Sequence, residues 1–181
     1  MAESTNFERT RFHAGQLLTA EDFTREQDYL RGKQKRHNRT LHGFGVVAGL
    51  RVTIGAGRVA VDPGVALDCE GNEIFIGEPQ QLAPPSSTEC GRAVYVNLSY
   101  AEESADPIPV ACADETSATQ ATTIRESFEI CFGQENRTRG HRHLRARWLA
   151  CGEAHPLTIA KLRYTSQGWR VDRRYRPPAI R

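Results

Sequence analysis

The tetrapeptide His42-Gly43-Phe44-Gly45 divides the chain into two hydrophobic periodicities, and this division constrains the fold more than any other feature. Upstream, Phe23, Gln27, Leu30, Gln34, His37 and Leu41 recur at alternating steps of four and three, the stripe of one helix face. Downstream, "GVVAGLRVTI", "GRVAVDPGVALD" and "NEIFIG" alternate apolar with polar or small residues between Gly-Ala-Gly, Asp-Pro-Gly and Glu-Gly-Asn turns, the pattern of short antiparallel strands with one buried face. Helix precedes the glycines and strand follows, the reverse of the strand-to-helix turn that seats a phosphate on a helix N-terminus. Gly43 and Gly45 therefore read as a helix stop and a tight entry into the first strand.

Thr19, followed by Ala20-Glu21-Asp22, supplies an N-cap with an acidic third residue, so a helix is expected to begin at Ala20 and run to Arg39. Gly32 weakens it by about 1 kcal/mol relative to alanine. The stripe is half polar. A helix facing only the core would carry leucine or isoleucine where Gln27, Gln34 and His37 stand, so this one is expected on a wet surface or in a subunit interface. Arg31, Lys33, Lys35, Arg36 and Arg39 occupy its other side.

Further along, "RAVYVNLSY", "TIRESFEICFG" and the pair "LTIAKLRY" and "WRVDRRYR" read as strands, the last two joined by a Ser-Gln-Gly turn and stopped by Pro177-Pro178. The acidic, small-residue segment 101–123 is expected to be a long loop that reaches a partner. Residues 1–18 read as an N-terminal arm and 19–181 as a single β-rich domain with its helix at 19–42. The expected class is α+β, predominantly β, with an N-terminal helix packed on antiparallel β-sheets in a shoulder- or sandwich-like arrangement.

Little in the sequence points to chemistry. Twenty-four lysines and arginines against 22 acids leave a net charge of +2, too weak to imply a nucleic-acid partner. Cys69, Cys90, Cys112, Cys131 and Cys151 form no C-x-x-C pair and read as buried free thiols. His141 and His143 could face one way on a strand, but Arg137, Arg139, Arg142, Arg145 and Arg147 surround them with positive charge that opposes a cation. His37 lies about 22 Å from Asp22 along the helix at 1.5 Å per residue, beyond the reach of an acid–base pair within one copy. Without a nucleophile elbow or a cysteine–histidine signature, no catalytic residue, cofactor or metal is expected. No apolar run approaches the roughly 18 residues of a membrane span, and "MAESTNFERTRF" has no apolar signal core, so a cytoplasmic product is expected.

The stretches "FHAGQLLTAEDFTREQDYL", "HNRTLHGFGVVAGLRV" and "VAVDPGVALDCEGNEIFI", with the terminal strands, resemble a small protein of phage-tail-like contractile injection systems. The opening is also similar to the N-terminal shoulder domain of TssK, a baseplate protein of type VI secretion. Gly15, Leu18, Phe23 and Tyr29 fall at its Gly, Leu, Phe and Tyr spacings, whereas Ala20 and Asp22 stand where its pattern has proline and histidine. The resemblance implies a homotrimeric structural adaptor that docks to baseplate, spike or fibre proteins of a particle that can be released. It does not carry over membrane recruitment, which in TssK belongs to further domains.

On that reading Phe12, Leu17, Leu18, Phe23, Tyr29 and Leu30 are the expected protein-binding anchors, with Gln27, Gln34, His37 and Asn38 as hydrogen-bonding neighbours. The alternative is a fibre-like receptor or carbohydrate-binding module that uses Tyr95, Tyr100, Trp148 and Trp169.

Overall fold

The computed structural model describes residues 8–86, 93–109, 119–138 and 155–180. Helix α1 spans Ala20–His37 and is followed by a single π-helical turn, Asn38–His42. The two together fill the expected helical segment. Its start is capped as the sequence predicts: the Thr19 backbone N–H and hydroxyl both donate to Asp22 Oδ2, at 3.0 and 3.1 Å. Gly43, at φ 83°, ends the turn, and its N–H donates to the Asn38 carbonyl at 3.0 Å.

Six short strands follow: β1 (Gly45–Gly49), β2 (Val52–Gly55), β3 (Arg58–Val61), β4 (Gly64–Leu67), β5 (Glu73–Ile76) and β6 (Gln80–Leu82). Strands β1, β4 and β5 form one antiparallel sheet in the order β1-β4-β5, and β2, β3 and β6 a second in the order β2-β3-β6. "GVVAGLRVTI", expected as one strand, is split between these sheets. Leu50 turns the chain at φ 55° with its side chain buried, its N–H donates to the Pro63 carbonyl at 3.2 Å, and Asp62 N–H donates to the Arg51 carbonyl at 2.9 Å. One hairpin is thus folded over a corner. The two arms lie so close there that a Cβ on Gly64 would come within 2.3 Å of the Ala48 carbonyl oxygen.

The third sheet contains β7 (Ala93–Pro109), β8 (Thr119–Gly133), β9 (Leu157–Thr165) and β10 (Gly168–Val171) in the order β10-β9-β7-β8. Among the described residues the core draws on all three sheets: Val59 and Val61 from β3, Ile74 and Ile76 from β5, Val94, Val96 and Leu98 from β7, and Leu157, Ile159 and Leu162 from β9. Each such side chain contributes about 1.5–3 kcal/mol on leaving water. The alternation is clean on β5, where Ile74 and Ile76 are buried and Glu73 and Phe75 exposed.

Segment 101–123 departs from its expected loop. Residues 101–109 and 119–123 continue β7 and β8 as a paired ribbon, through Ser104 opposite Ile124 and Ile108 opposite Gln120. Beyond Leu98, the last residue of β7 that pairs with β9, this ribbon has only two strands. It buries no face, so its composition is that of a loop although its backbone forms a ladder. Residues 110–118, and the His141 and His143 stretch with Trp148, lie outside the described residues.

Candidate docking surface

The helix meets the sheets at its C-terminal end. Asn38 is buried and its Nδ2 donates to the Gly71 carbonyl at 2.9 Å, while Arg39 Nη1 donates to the Glu70 carbonyl at 3.1 Å. Residues 68–72 form the receiving turn, organised by Asp68, whose carboxylate accepts from Glu70 N–H (2.9 Å), Asn72 N–H (2.8 Å) and Asn72 Nδ2 (2.7 Å). Asn38, expected among the docking amides, is therefore spent inside the chain. The signal for it lay in the Asp68-x-Glu70-Gly71-Asn72 turn, whose backbone carbonyls need donors from a neighbouring element.

No residue of α1 is buried. Phe12, Leu18, Phe23 and Leu30 are all exposed, and Leu17 keeps 86% of its surface. Gln27, Gln34 and His37 are exposed as well, and Tyr29 is half-buried. Lys33 Nζ donates to the Tyr29 hydroxyl at 3.4 Å and lies 5.4 Å from the ring centre, which holds that ring along the helix. The leading segment is tied back by Thr10, whose hydroxyl donates to the Asp22 carbonyl at 3.4 Å. Hydrogen bonds from Thr19, the backbone N–H first and the hydroxyl second, hold the Asp22 carboxyl below the usual carboxylate range. The result is a capped helix with apolar and amide side chains left on its surface.

A cleft of about 520 Å³ separates the second half of α1 from the sheets, with Arg31, Gln34 and Lys35 on one wall and Phe75, Tyr100 and Glu126 on the other. Arg31 forms an ion pair with Glu102, whose Oε1 also accepts from the Tyr100 hydroxyl at 2.8 Å. Burial first, and then the Glu102 and Glu126 carboxylates, push the Tyr100 phenol far above its ordinary range. Phe75 was missed as a surface residue, although a phenylalanine on the polar phase of "NEIFIG" is the signal that finds it.

The aromatics expected for saccharide binding are dispersed. Tyr95 packs on Tyr175 with ring centres 6.0 Å apart, Trp169 packs on Tyr164 at 5.2 Å and donates Nε1–H to the Pro85 carbonyl at 2.9 Å, and Tyr100 lines the cleft. His37 and His42 meet edge to face at 5.3 Å, without an acid from the first turn. Cys69 is buried and Cys131 exposed, both outside disulfides; Cys131 departs from the expected burial because it alternates with Ile130 and Phe132, which turn the other face of β8 to the core. Among the described residues no cluster of three or more histidine, cysteine or acidic side chains is placed to hold a metal, and no helix is long and apolar enough to cross a membrane.

The class these features define is a predominantly β α+β domain with an exposed N-terminal helix joined to the sheets at one end. Its fold is similar to that of a chain in the type VI secretion TssK-TssF-TssG baseplate subcomplex, at TM-score 0.56 and 13% identity over 96% of this chain and 62% of that one. The crystal structure of TssK matches at TM-score 0.56 and 14% identity, covering 96% and 43%. A chain of the type VI baseplate complex matches at 0.56 and 15%, covering 96% and 60%. The chain thus spans about half the length of these solved chains. No protein-family model matches it, and no curated protein matches its sequence.

Proposed function

We propose that the chain is a structural adaptor of a contractile injection particle, docking as a homotrimer through α1 and its leading segment to a baseplate, spike or fibre component. The observation that carries this reading is the apolar surface left exposed by Phe12, Leu17 and Leu18 on the leading segment and by Phe23 and Leu30 on α1, in a fold similar to TssK-containing baseplate structures. Contiguous exposed apolar surface on a soluble domain marks a site of association. The exposed amides of Gln27 and Gln34 and the imidazole of His37 give that surface the polar rim of a protein interface.

The mechanism is multivalent docking. Three equivalent helices on one oligomer engage linked sites on one platform, so each contact raises the effective concentration of the next. The proposal involves no catalytic step, cofactor, nucleic acid or membrane insertion, and the chain is made and assembled in the cytoplasm.

Capture of the chain by a TssF–TssG-type baseplate subcomplex tests the reading. Phe23→Ala and Leu18→Ala are each expected to weaken capture at least about tenfold, as for anchors of an interface. Thr165→Ala, on a distant turn, is expected to leave it unchanged. Equal capture by all four chains would reject α1 as the docking surface.

A further inference from the structure

Opposite edges of the third sheet carry opposite charge. The ribbon of β7 and β8, residues 101–109 and 119–129, holds Glu102, Glu103, Asp106, Glu126 and Glu129 against Arg125. At the other edge, β9, β10 and the turn that follows them, residues 157–176, hold Lys161, Arg163, Arg170, Arg173, Arg174 and Arg176 against Asp172. Among the described residues few of these charges meet an opposite one, although Glu103 accepts a hydrogen bond from Ser127 and Arg170 donates to Gln167. Glu102 pairs with Arg31 and Asp172 with Arg163, at 2.6 Å for the latter, whereas among the described residues no ion pair engages Glu103, Asp106, Glu129, Arg170, Arg173 or Arg174.

The ribbon is also under-supported. Eight residue steps from 101 to 109 at about 3.3 Å each extend it by roughly 26 Å, and a ribbon of two strands is marginal in water by itself. Ile108 and Ile124 stand exposed on it. The basic edge offers a counterpart in Tyr164, which is 44% exposed.

We infer that the acidic β7–β8 ribbon of one copy docks on the arginine-rich β9–β10 edge of the next copy. This rests on the oligomeric reading above and assigns it a surface separate from α1. The two patches differ, so the contact is head-to-tail, the kind that closes into a ring when the rotation per copy permits. Charge complementarity sets the register and excludes ribbon-on-ribbon and edge-on-edge pairing through like-charge repulsion, while Ile108 and Ile124 supply the apolar contact. The helix of every copy then remains free for the platform.

Light scattering at fixed concentration tests this on the full chain. The unaltered chain is expected to form a closed oligomer whose association weakens as salt rises from about 0.05 to 0.5 M. Glu103→Lys with Asp106→Lys, and separately Arg173→Glu with Arg174→Glu, should each weaken association at least about tenfold. Combining all four reversals should restore it. Ile124→Asp should dissociate the oligomer without reversing either charged patch. An oligomer insensitive to salt and to both paired reversals would overturn this interface while leaving the oligomeric adaptor standing. Failure of the combined variant to reassociate would overturn the pairing, and a monomeric unaltered chain would overturn both.

Discussion

The Arg31 guanidinium on α1 lies against the Glu102 carboxylate at the root of the β7–β8 ribbon, bridging the cleft where helix and third sheet approach each other. Glu102 stands directly opposite Glu126 across the ribbon, and like charges in that position repel. Arg31→Ala is therefore expected to remove a partly exposed pair and leave that repulsion uncompensated. Solvent screening limits the loss to about 0.5–1 kcal/mol in urea unfolding. A loss above 3 kcal/mol would mean that the pair behaves as a buried one.

The seat of the helix should matter more. Asn38→Ala strands the buried Gly71 carbonyl and is expected to cost about 1–3 kcal/mol. Gly71→Ala should cost a similar 1–3 kcal/mol, because the backbone there has φ 89° and the new Cβ would stand 2.1 Å from the Lys35 carbonyl oxygen. Hydrogen exchange should show α1 loosening before the sheets in both variants. Uniform loosening would contradict attachment of the helix by its end.

Leu50 and Leu17 offer a contrast of burial at constant chemistry. Leu50 is 3% exposed at the hairpin corner, and Leu50→Ala should destabilise by about 2–5 kcal/mol. Leu17, almost fully in water, should change stability by less than about 0.5 kcal/mol when truncated. Equal effects on thermal unfolding would refute the burial that separates them.

The pH dependence has a defined sign at each end. The Asp22 carboxyl is held below its ordinary 3.8, so its contribution is present above that value and is lost as pH falls further and the cap is protonated. The Tyr100 phenol is raised above its ordinary 10.0, so its contribution is intact below pH 10 and is lost as pH climbs past it. Ultraviolet titration should show two tyrosines that ionise late, Tyr100 and the half-buried Tyr175, and Tyr100→Phe should remove the later transition. Persistence of the later transition in that variant would assign it elsewhere.

Local signals were legible where each residue answers to its near neighbours. The Thr19–Asp22 cap, the stop at Gly43 and the alternating burial on β3 and β5 depend on contacts a few residues apart, and the sequence pattern placed them correctly. The ribbon of β7 and β8 was not legible, because a ladder with both faces in water leaves no hydrophobic period to detect. Nor was the corner at Leu50, where a buried leucine takes a left-handed conformation that local preference disfavours.

By itself, the sequence determined that a capped, half-polar helix leads into antiparallel strands, since capping, turn chemistry and apolar alternation are short-range properties. Only the tertiary structure decided that Asn38 is consumed inward while Phe23 and Gln27 remain outward, and that acidic and arginine-rich segments occupy opposite edges of one sheet. Both outcomes depend on which distant segment arrives beside a side chain: Gly71 lies 33 residues from Asn38, and no periodicity in the sequence encodes that meeting.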